Sequence, residues 1–234
     1  MRPAQRVAAA VLAGGLGTRL GGDVPKPFIP VLGHPLIHYS LHLFESLPEV
    51  CAIRVAVPEV QGPALERLLA SYPRRAYRGW TPGGATRAQS ALAALRSLEP
   101  DRPDVVLVHD AARPLVTVQE VRALLAALPG HDGAILASPP VDTLWSSQEH
   151  NVREVVDRRG MVRAFTPQAF PFEALKEAIE KGIEEGFEGT DDASFVRRLG
   201  GEVVWVQGSR WNIKVTYPED LTLVEAILEG SGCA

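Results

Sequence analysis

Short, strongly apolar runs alternate with longer amphipathic stretches along most of this chain, and that rhythm leaves few folds open. Apolar runs bounded by turn residues read as strands, whereas apolar residues spaced three and four apart read as one face of a helix. Strands are expected near residues 7–13, 51–57, 76–80, 105–109, 133–137, 202–206 and 213–215. Helices are expected near 35–47, 63–71, 86–98, 118–128, 172–185 and 190–199, with a last one from Pro218. This alternation, with short connections, predicts an α/β fold: a Rossmann-like, mainly parallel sheet with helices on both faces. The rhythm breaks between Pro139 and Pro167. There Leu144-Trp145 and residues 151–156 and 161–165 look like short strands separated by polar turns, and they predict an inserted β-hairpin arm at about 139–167. An isolated hairpin cannot bury both of its faces, so the arm must fold back on the core or pack on another subunit. No repeat or linker divides the 234 residues, and one domain with this arm is expected.

The formal net charge of −4 argues against a general affinity for nucleic acid or for an anionic membrane. An anionic ligand must then be met by a local basic cluster. Cys51 and Cys233 make neither a disulfide framework nor a zinc-ligand spacing. The first apolar run is too short to span a membrane, and it continues into a glycine-rich turn rather than a cleavage site, so a cytoplasmic location is expected. Of the 24 basic residues only Lys26, Lys176, Lys181 and Lys214 are lysines, and two of them fall inside the motifs below.

The first strand opens into Gly14-Gly15-Leu16-Gly17-Thr18-Arg19-Leu20, followed by Pro25-Lys26-Pro27. Glycines let successive backbone N–H groups turn toward one point, which makes an anion nest at the carboxyl edge of a sheet. The dinucleotide fingerprint fails because Leu20 stands where its third glycine belongs, and the Walker A loop fails because Lys26 lies between prolines. The flanking prolines predict an extended backbone that aims Lys26 with little residual freedom. Arg19 and Lys26 beside such a nest suit the charge that builds on a phosphoryl group in transfer. These residues resemble the signature of the nucleotidyltransferases that activate sugars and polyols.

In Val108-His109-Asp110-Ala111-Ala112-Arg113-Pro114 an Asp ends a buried-type strand. Strand ends of this kind line the ligand crevice, and one carboxylate with phosphate oxygens and waters is a usual way to hold Mg²⁺. Asp110 is therefore the candidate metal ligand, and Arg113 a candidate phosphate contact. Further along stand Pro140-Val141-Asp142-Thr143, Val156-Asp157-Arg158, Thr166-Pro167-Gln168, Thr190-Asp191-Asp192 and Asn212-Ile213-Lys214-Val215-Thr216. Each is weak alone; Thr190-Asp191-Asp192 reads equally well as an ordinary helix start.

Their order and spacing from Val7 to Leu223 closely resemble the 2-C-methyl-D-erythritol 4-phosphate cytidylyltransferase family of the non-mevalonate isoprenoid pathway. The resemblance implies transfer of CMP from CTP to a polyol phosphate, with Mg²⁺ or another divalent cation at Asp110. It implies that Arg19 and Lys26 stabilise the transition state at the α-phosphorus, and that Arg158 and Lys214 position the acceptor phosphate. It puts CTP on Ala13, Gly14, Gly15, Gly17, Thr18, Gly84, Ser90 and Ala111, and the acceptor on Arg113, Asp142, Thr143, Thr166 and Thr190. It also implies a homodimer whose arms interlock. The chain departs from the family pattern at Ala13-Gly14, at Thr18 and at Ala85, where an acidic residue is common. A ribitol phosphate cytidylyltransferase shares nearly every motif, a sugar-1-phosphate uridylyl- or thymidylyltransferase shares the first, and a non-catalytic nucleotide sensor could share the fold. His34, His38 and His42 recur every four residues but bring no third ligand type, and they read as packing. The four Trp residues show no stacking pattern of a nucleic-acid groove.

Overall fold

In the computed structural model, which describes residues 5–15, 24–70, 72 and 75–230, the first apolar run is strand β1 (Val7–Leu12), buried at every position. Burial on both sides is what a central parallel strand requires. The chain continues through the two-residue strands β2 (Pro30–Val31) and β3 (His34–Pro35) to α1 (Leu36–Glu45), β4 (Val50–Val57), α2 (Gly62–Leu69), β5 (Tyr77–Pro82) and α3 (Arg87–Leu98). Then come β6 (Val105–Asp110), α4 (Val118–Ala127), β7 (Gly133–Ser138), β8 (Leu144–Gln148), β9 (Asn151–Val156) and β10 (Arg163–Pro171). The elements α5 (Phe172–Glu184), α6 (Asp192–Arg198), β11 (Val203–Gln207) and α7 (Pro218–Gly230) complete the order.

Seven strands form the central sheet in the order β11-β7-β10-β6-β1-β4-β5. Its pairs are parallel except those of β10, which runs antiparallel between β6 and β7. Alternation along the strands sorts the core into two layers. Ala9, Val11, Ile53, Val55 and Leu107 face α1, α2 and α4, through side chains such as Phe44, Leu65 and Leu124. Ala8, Ala10, Ala52 and Ala56 point the other way, where Ala91, Ala94 and Leu95 of α3 meet them. Small residues on both sides of that contact let the helix approach the sheet closely, and α3 is the helix that begins at the site. The chain passes from β1 to β4 on one side, and β6 later pairs with the other side of β1. This reversal opens a crevice at the carboxyl ends of β1 and β6.

Two expectations change. The run at 161–165 is not a third strand of the arm: β10 carries it into the central sheet, where Arg163 and Ala164 pair with Ser138 and Ala137. In this stretch the sheet separate from the core is β8 with β9 alone; β2 and β3 pair in another two-stranded sheet. Residues 213–215 form no strand. The Val215 N–H donates to the Ala112 carbonyl at 2.8 Å, just past the end of β6, so the segment lies across the sheet's end instead of extending it.

The histidines stack along α1 and its entry. His34 and His38 have ring centroids 4.4 Å apart, His38 and His42 5.6 Å, and Tyr72 lies 4.7 Å from His38. Burial, and then the neighbouring imidazoles, lower the His38 pKa from 6.5 to about 4. Between those two values the unfolded chain takes up a proton that native His38 refuses, so stability is full above the window and falls as pH drops through it. His38→Gln is therefore expected to flatten the loss of stability between about pH 6.5 and pH 4, measured by urea midpoints. An unchanged slope would show that other groups control the acid limb.

Candidate active site

Three strand ends and two crossing segments build the crevice. β1 runs into Ala13, Gly14 and Gly15, β5 into Gly83–Thr86, and β6 ends on Asp110 before Ala111 and Ala112. With Lys26, Pro27, Arg87, Ser90 and Lys214 they line a cavity of about 350 Å³. Lys26 is not in extended backbone as its prolines suggest. It starts a short 3₁₀ turn, Lys26–Phe28, closed by the Phe28 N–H on the Pro25 carbonyl at 2.9 Å. The outcome for the side chain is still a fixed aim: Lys26 is 9% exposed and its Nζ donates to the Val215 carbonyl at 2.9 Å.

The opposite wall is set by the start of α3. Thr86 caps that helix in a reciprocal box with Gln89, which satisfies two otherwise orphaned N–H groups. The Ser90 hydroxyl accepts from the Gly84 N–H at 3.1 Å and donates to the Thr86 carbonyl at 2.9 Å, curling the loop over the helix N-terminus. A Cβ at Gly84 would stand 2.3 Å from the Gln89 Cβ, so only glycine permits this approach.

Charge concentrates at Asp110. Lys214 Nζ donates to its Oδ2 at 2.7 Å and Arg87 Nε to its Oδ1 at 3.3 Å. Burial alone would raise the pKa of this carboxyl, but Arg87 and Lys214 outweigh it and hold Asp110 well below the usual carboxylate range. The same Arg87 grips Asp192 with both terminal nitrogens, at 2.9 and 2.7 Å. Burial works against the charge on Arg87, yet the two carboxylates prevail and raise its pKa. Asp192 is fully buried, and burial pushes its pKa upward against the pull of Arg87.

Behind the charges lies a buried polar layer. The Asp110 N–H donates to Thr166 Oγ1 at 3.0 Å, and His109 Nδ1 lies 3.1 Å from the same oxygen. Burial lowers the His109 pKa to about 4, so the ring is neutral near pH 7. The Thr166 hydroxyl then donates to Nδ1, and Nε2–H donates to the Arg113 carbonyl at 3.2 Å. Asn212, also fully buried, donates through Nδ2 to the Thr166 carbonyl at 3.0 Å and accepts Arg113 on its own carbonyl at 2.7 Å. Gln168 spans Asp191 Oδ2, at 2.8 Å, and the Ala193 N–H, at 3.0 Å, and so fixes the start of α6.

The sequence and the overall fold are similar to those of known proteins. The family model for 2-C-methyl-D-erythritol 4-phosphate cytidylyltransferase matches residues 7–230. The chain belongs to that family. The curated enzyme of that name from Geotalea uraniireducens is 38% identical over 96% of this chain and 97% of its own length. Its counterpart from Shouchella clausii is 40% identical, covering 95% and 96%. The crystal structure of the Thermus thermophilus enzyme superposes with a TM-score of 0.75 at 31% identity, over 94% of this chain and 98% of that one.

Of the residues to which the family resemblance gives a role, Ala13, Gly14, Gly15, Lys26, Gly84, Ser90, Asp110, Ala111 and Lys214 come together around the crevice. Gly17, Thr18 and Arg19 lie outside the described residues. Thr166 is 4% exposed and its hydroxyl is engaged beneath Asp110. Arg113 is stacked 5.4 Å from the Phe165 ring centre, behind the same strand end. Thr190 is exposed, one residue before the α6 cap Asp191. Asp142, Thr143 and Arg158 are exposed on the arm side and do not line this crevice; Arg158 donates to the Val141 carbonyl. Arg87 has no role in the sequence reading, and Asp192 appears there only within the motif Thr190-Asp191-Asp192. Asp192 opens a helix, where an acidic residue needs no further reason, whereas Arg87 is a cation at a helix N-terminus, against the macrodipole, and that was the available signal.

Thr166→Val keeps the shape of the side chain but strands the Asp110 N–H and His109 Nδ1. The expected cost is about 1–3 kcal/mol for each orphaned group, read by urea denaturation. A loss below about 0.5 kcal/mol would mean that the layer under Asp110 does not depend on this hydroxyl.

Proposed function

We propose that the chain transfers CMP from CTP to 2-C-methyl-D-erythritol 4-phosphate and releases pyrophosphate, in the synthesis of isoprenoid precursors. The family match across residues 7–230 carries this reading. The crevice supports it, because it sets a glycine-edged strand end, a buried lysine and an ionised aspartate around one space. The names of the relatives favour this acceptor over ribitol phosphate and favour an enzyme over a sensor.

The reaction is an in-line displacement. A phosphate oxygen of the acceptor attacks the α-phosphorus of CTP, the new P–O bond forms, and the bond to the β-phosphate oxygen breaks to release pyrophosphate. Both partners already carry the reacting groups, so the protein supplies position and charge. Lys26, and Arg19 in its sequence motif, offset the negative charge that gathers on the α-phosphoryl oxygens. Gly14, Gly15, Gly17 and Thr18 cradle the phosphates, helped by Ala13 and Ala111, and the loop held by Ser90 presents Gly84 to the base. Lys214 and, from the arm of a second copy, Arg158 grip the acceptor phosphate; Asp142 and Thr143 of that arm and Thr190 form its surroundings, while Arg113 and Thr166 support the site from beneath Asp110.

Asp110 fits a hard divalent cation. It is an ionised oxygen donor on the crevice wall, and Mg²⁺ commonly takes one carboxylate and completes its shell with phosphate oxygens and water. Such a cation, held by Asp110, would neutralise charge on the nucleotide phosphates. Among the described residues no group of three or more His, Cys, Asp or Glu side chains converges on one point, so a cage made wholly of protein is not part of this reading.

The reading includes one domain, a homodimer formed through the arm and a cytoplasmic location. The arm supports the dimer: Trp145, Val152 and Val155 on β8 and β9 are 51%, 64% and 56% exposed, a surface that a second copy would cover. Among the described residues no helix is long and apolar enough to cross a membrane.

Two experiments follow. Lys26→Ala should lower turnover by roughly 10²–10³-fold in a coupled assay of pyrophosphate release, while CTP binding changes far less. Near-normal turnover would end the role given to Lys26, and a chain that prefers ribitol phosphate would reassign the acceptor. The second mixes subunits carrying Lys26→Ala with subunits carrying Arg158→Ala. If Arg158 serves its neighbour's site, mixed dimers regain one intact site and activity recovers to roughly a quarter of wild type. Mixed dimers verified by mass that remain inactive would place both residues in one subunit's site.

A further inference from the structure

Asp110 is held by two cations, and they are held very differently. Lys214 is 44% exposed along its side chain and meets Asp110 through one hydrogen bond at 2.7 Å. Arg87 is 27% exposed and is tied down from behind by both oxygens of Asp192, whose side chain is 1% exposed. Moving Arg87 away would leave a fully buried carboxylate unpaired, which is costly. Moving Lys214 away returns an already half-exposed ammonium to water or to a ligand's phosphate. The two oxygens of Asp110 therefore have one fixed partner and one exchangeable partner.

Arg87 also joins three pieces of chain. It is the first residue of α3, directly after the Gly83–Thr86 loop; its Nε reaches the end of β6, and its terminal nitrogens reach the first residue of α6. α6 begins two residues after Thr190, and Gln168 braces the same start from β10. A bridge of this span needs the planar fork of a guanidinium; an ammonium cannot hold Asp192 by two parallel bonds and still reach Asp110.

We propose that Arg87 is a positioning residue for the reaction. Anchored on Asp192, it keeps Asp110 in place with one oxygen neutralised, and so leaves Lys214 as the cation that an arriving phosphate can draw off. The inference rests on the functional reading above, since it takes the acceptor phosphate to be the partner that recruits Lys214. Without Arg87 the Asp110 carboxylate would lose its fixed cation, and Lys214 would be retained on it when the acceptor arrives.

The test is a double-mutant cycle in the pyrophosphate-release assay, with CTP and 2-C-methyl-D-erythritol 4-phosphate each varied. Arg87→Gln is expected to raise the acceptor KM by about ten-fold or more while the CTP KM moves by less than about three-fold. In an Asp110→Asn background the same change should cost less than about three-fold further, because Arg87 acts through Asp110. Arg87→Lys keeps the charge but not the fork, and should stay within a few-fold of Arg87→Gln. Should Arg87→Gln not fold, as judged by circular dichroism, Asp192→Asn carries the same cycle from the other end of the bridge.

Three results would overturn the proposal: effects of Arg87→Gln and Asp110→Asn that multiply, equal rises in both KM values, or full rescue by Arg87→Lys. Each would leave the functional reading standing, because wild type would still turn over. A wild-type chain that releases no pyrophosphate from this pair would remove the functional reading and this inference with it.

Discussion

A carboxylate at the end of a buried strand is the constraint around which this site is arranged. Asp110 closes β6 beside the strand-order reversal, and at 8% exposure it could not stay ionised without close cations. Arg87 and Lys214 supply them from segments far apart in sequence. The buried layer of Thr166, His109 and Asn212 then fixes the backbone on which Asp110 stands. A change in any of these partners reaches the crevice through one side chain.

The sheet explains why the partners can meet. Parallel strands with crossover helices bring the carboxyl ends of β1, β5 and β6 to one edge, although they are separated along the chain. The antiparallel β10 brings Thr166 and Gln168 to the same edge from the opposite direction. The segment at 212–215 crosses above, held by Val215 on Ala112 and by Lys26 on Val215. Two lysines from distant motifs thereby line one crevice with Asp110, in a chain that otherwise relies on arginine.

Much of this was legible in the residues. The apolar runs of the parallel strands read clearly because burial on both faces demands continuous apolar sequence; the glycine loop and Lys26 stand out because they fail the dinucleotide and Walker A patterns, and Asp110 because it ends a buried-type strand. The extent of the arm was harder to read. Residues 161–165 follow a polar turn just as a hairpin strand would, and only pairing with β7 and β6 shows that they belong to the core. The segment at 213–215 has strand-like residues but is claimed by hydrogen bonds to Ala112 and Lys26, a tertiary preference that local pattern does not carry. The Arg87–Asp192 bridge was illegible for a similar reason: Asp192 satisfies a local helix-start rule, and its partner lies 105 positions away.

At the centre of the proposed mechanism, nucleotide and acceptor meet at Asp110 and draw away Lys214, not Arg87. A crystal structure with CTP and the acceptor bound tests this most directly. The expected complex has the base against the Gly83–Ser90 loop, the phosphates between Lys26 and Asp110, Lys214 turned to the acceptor phosphate, and Arg87 still on Asp192. A nucleotide bound elsewhere, or a bound state in which Arg87 leaves Asp192 while Lys214 stays on Asp110, would contradict it.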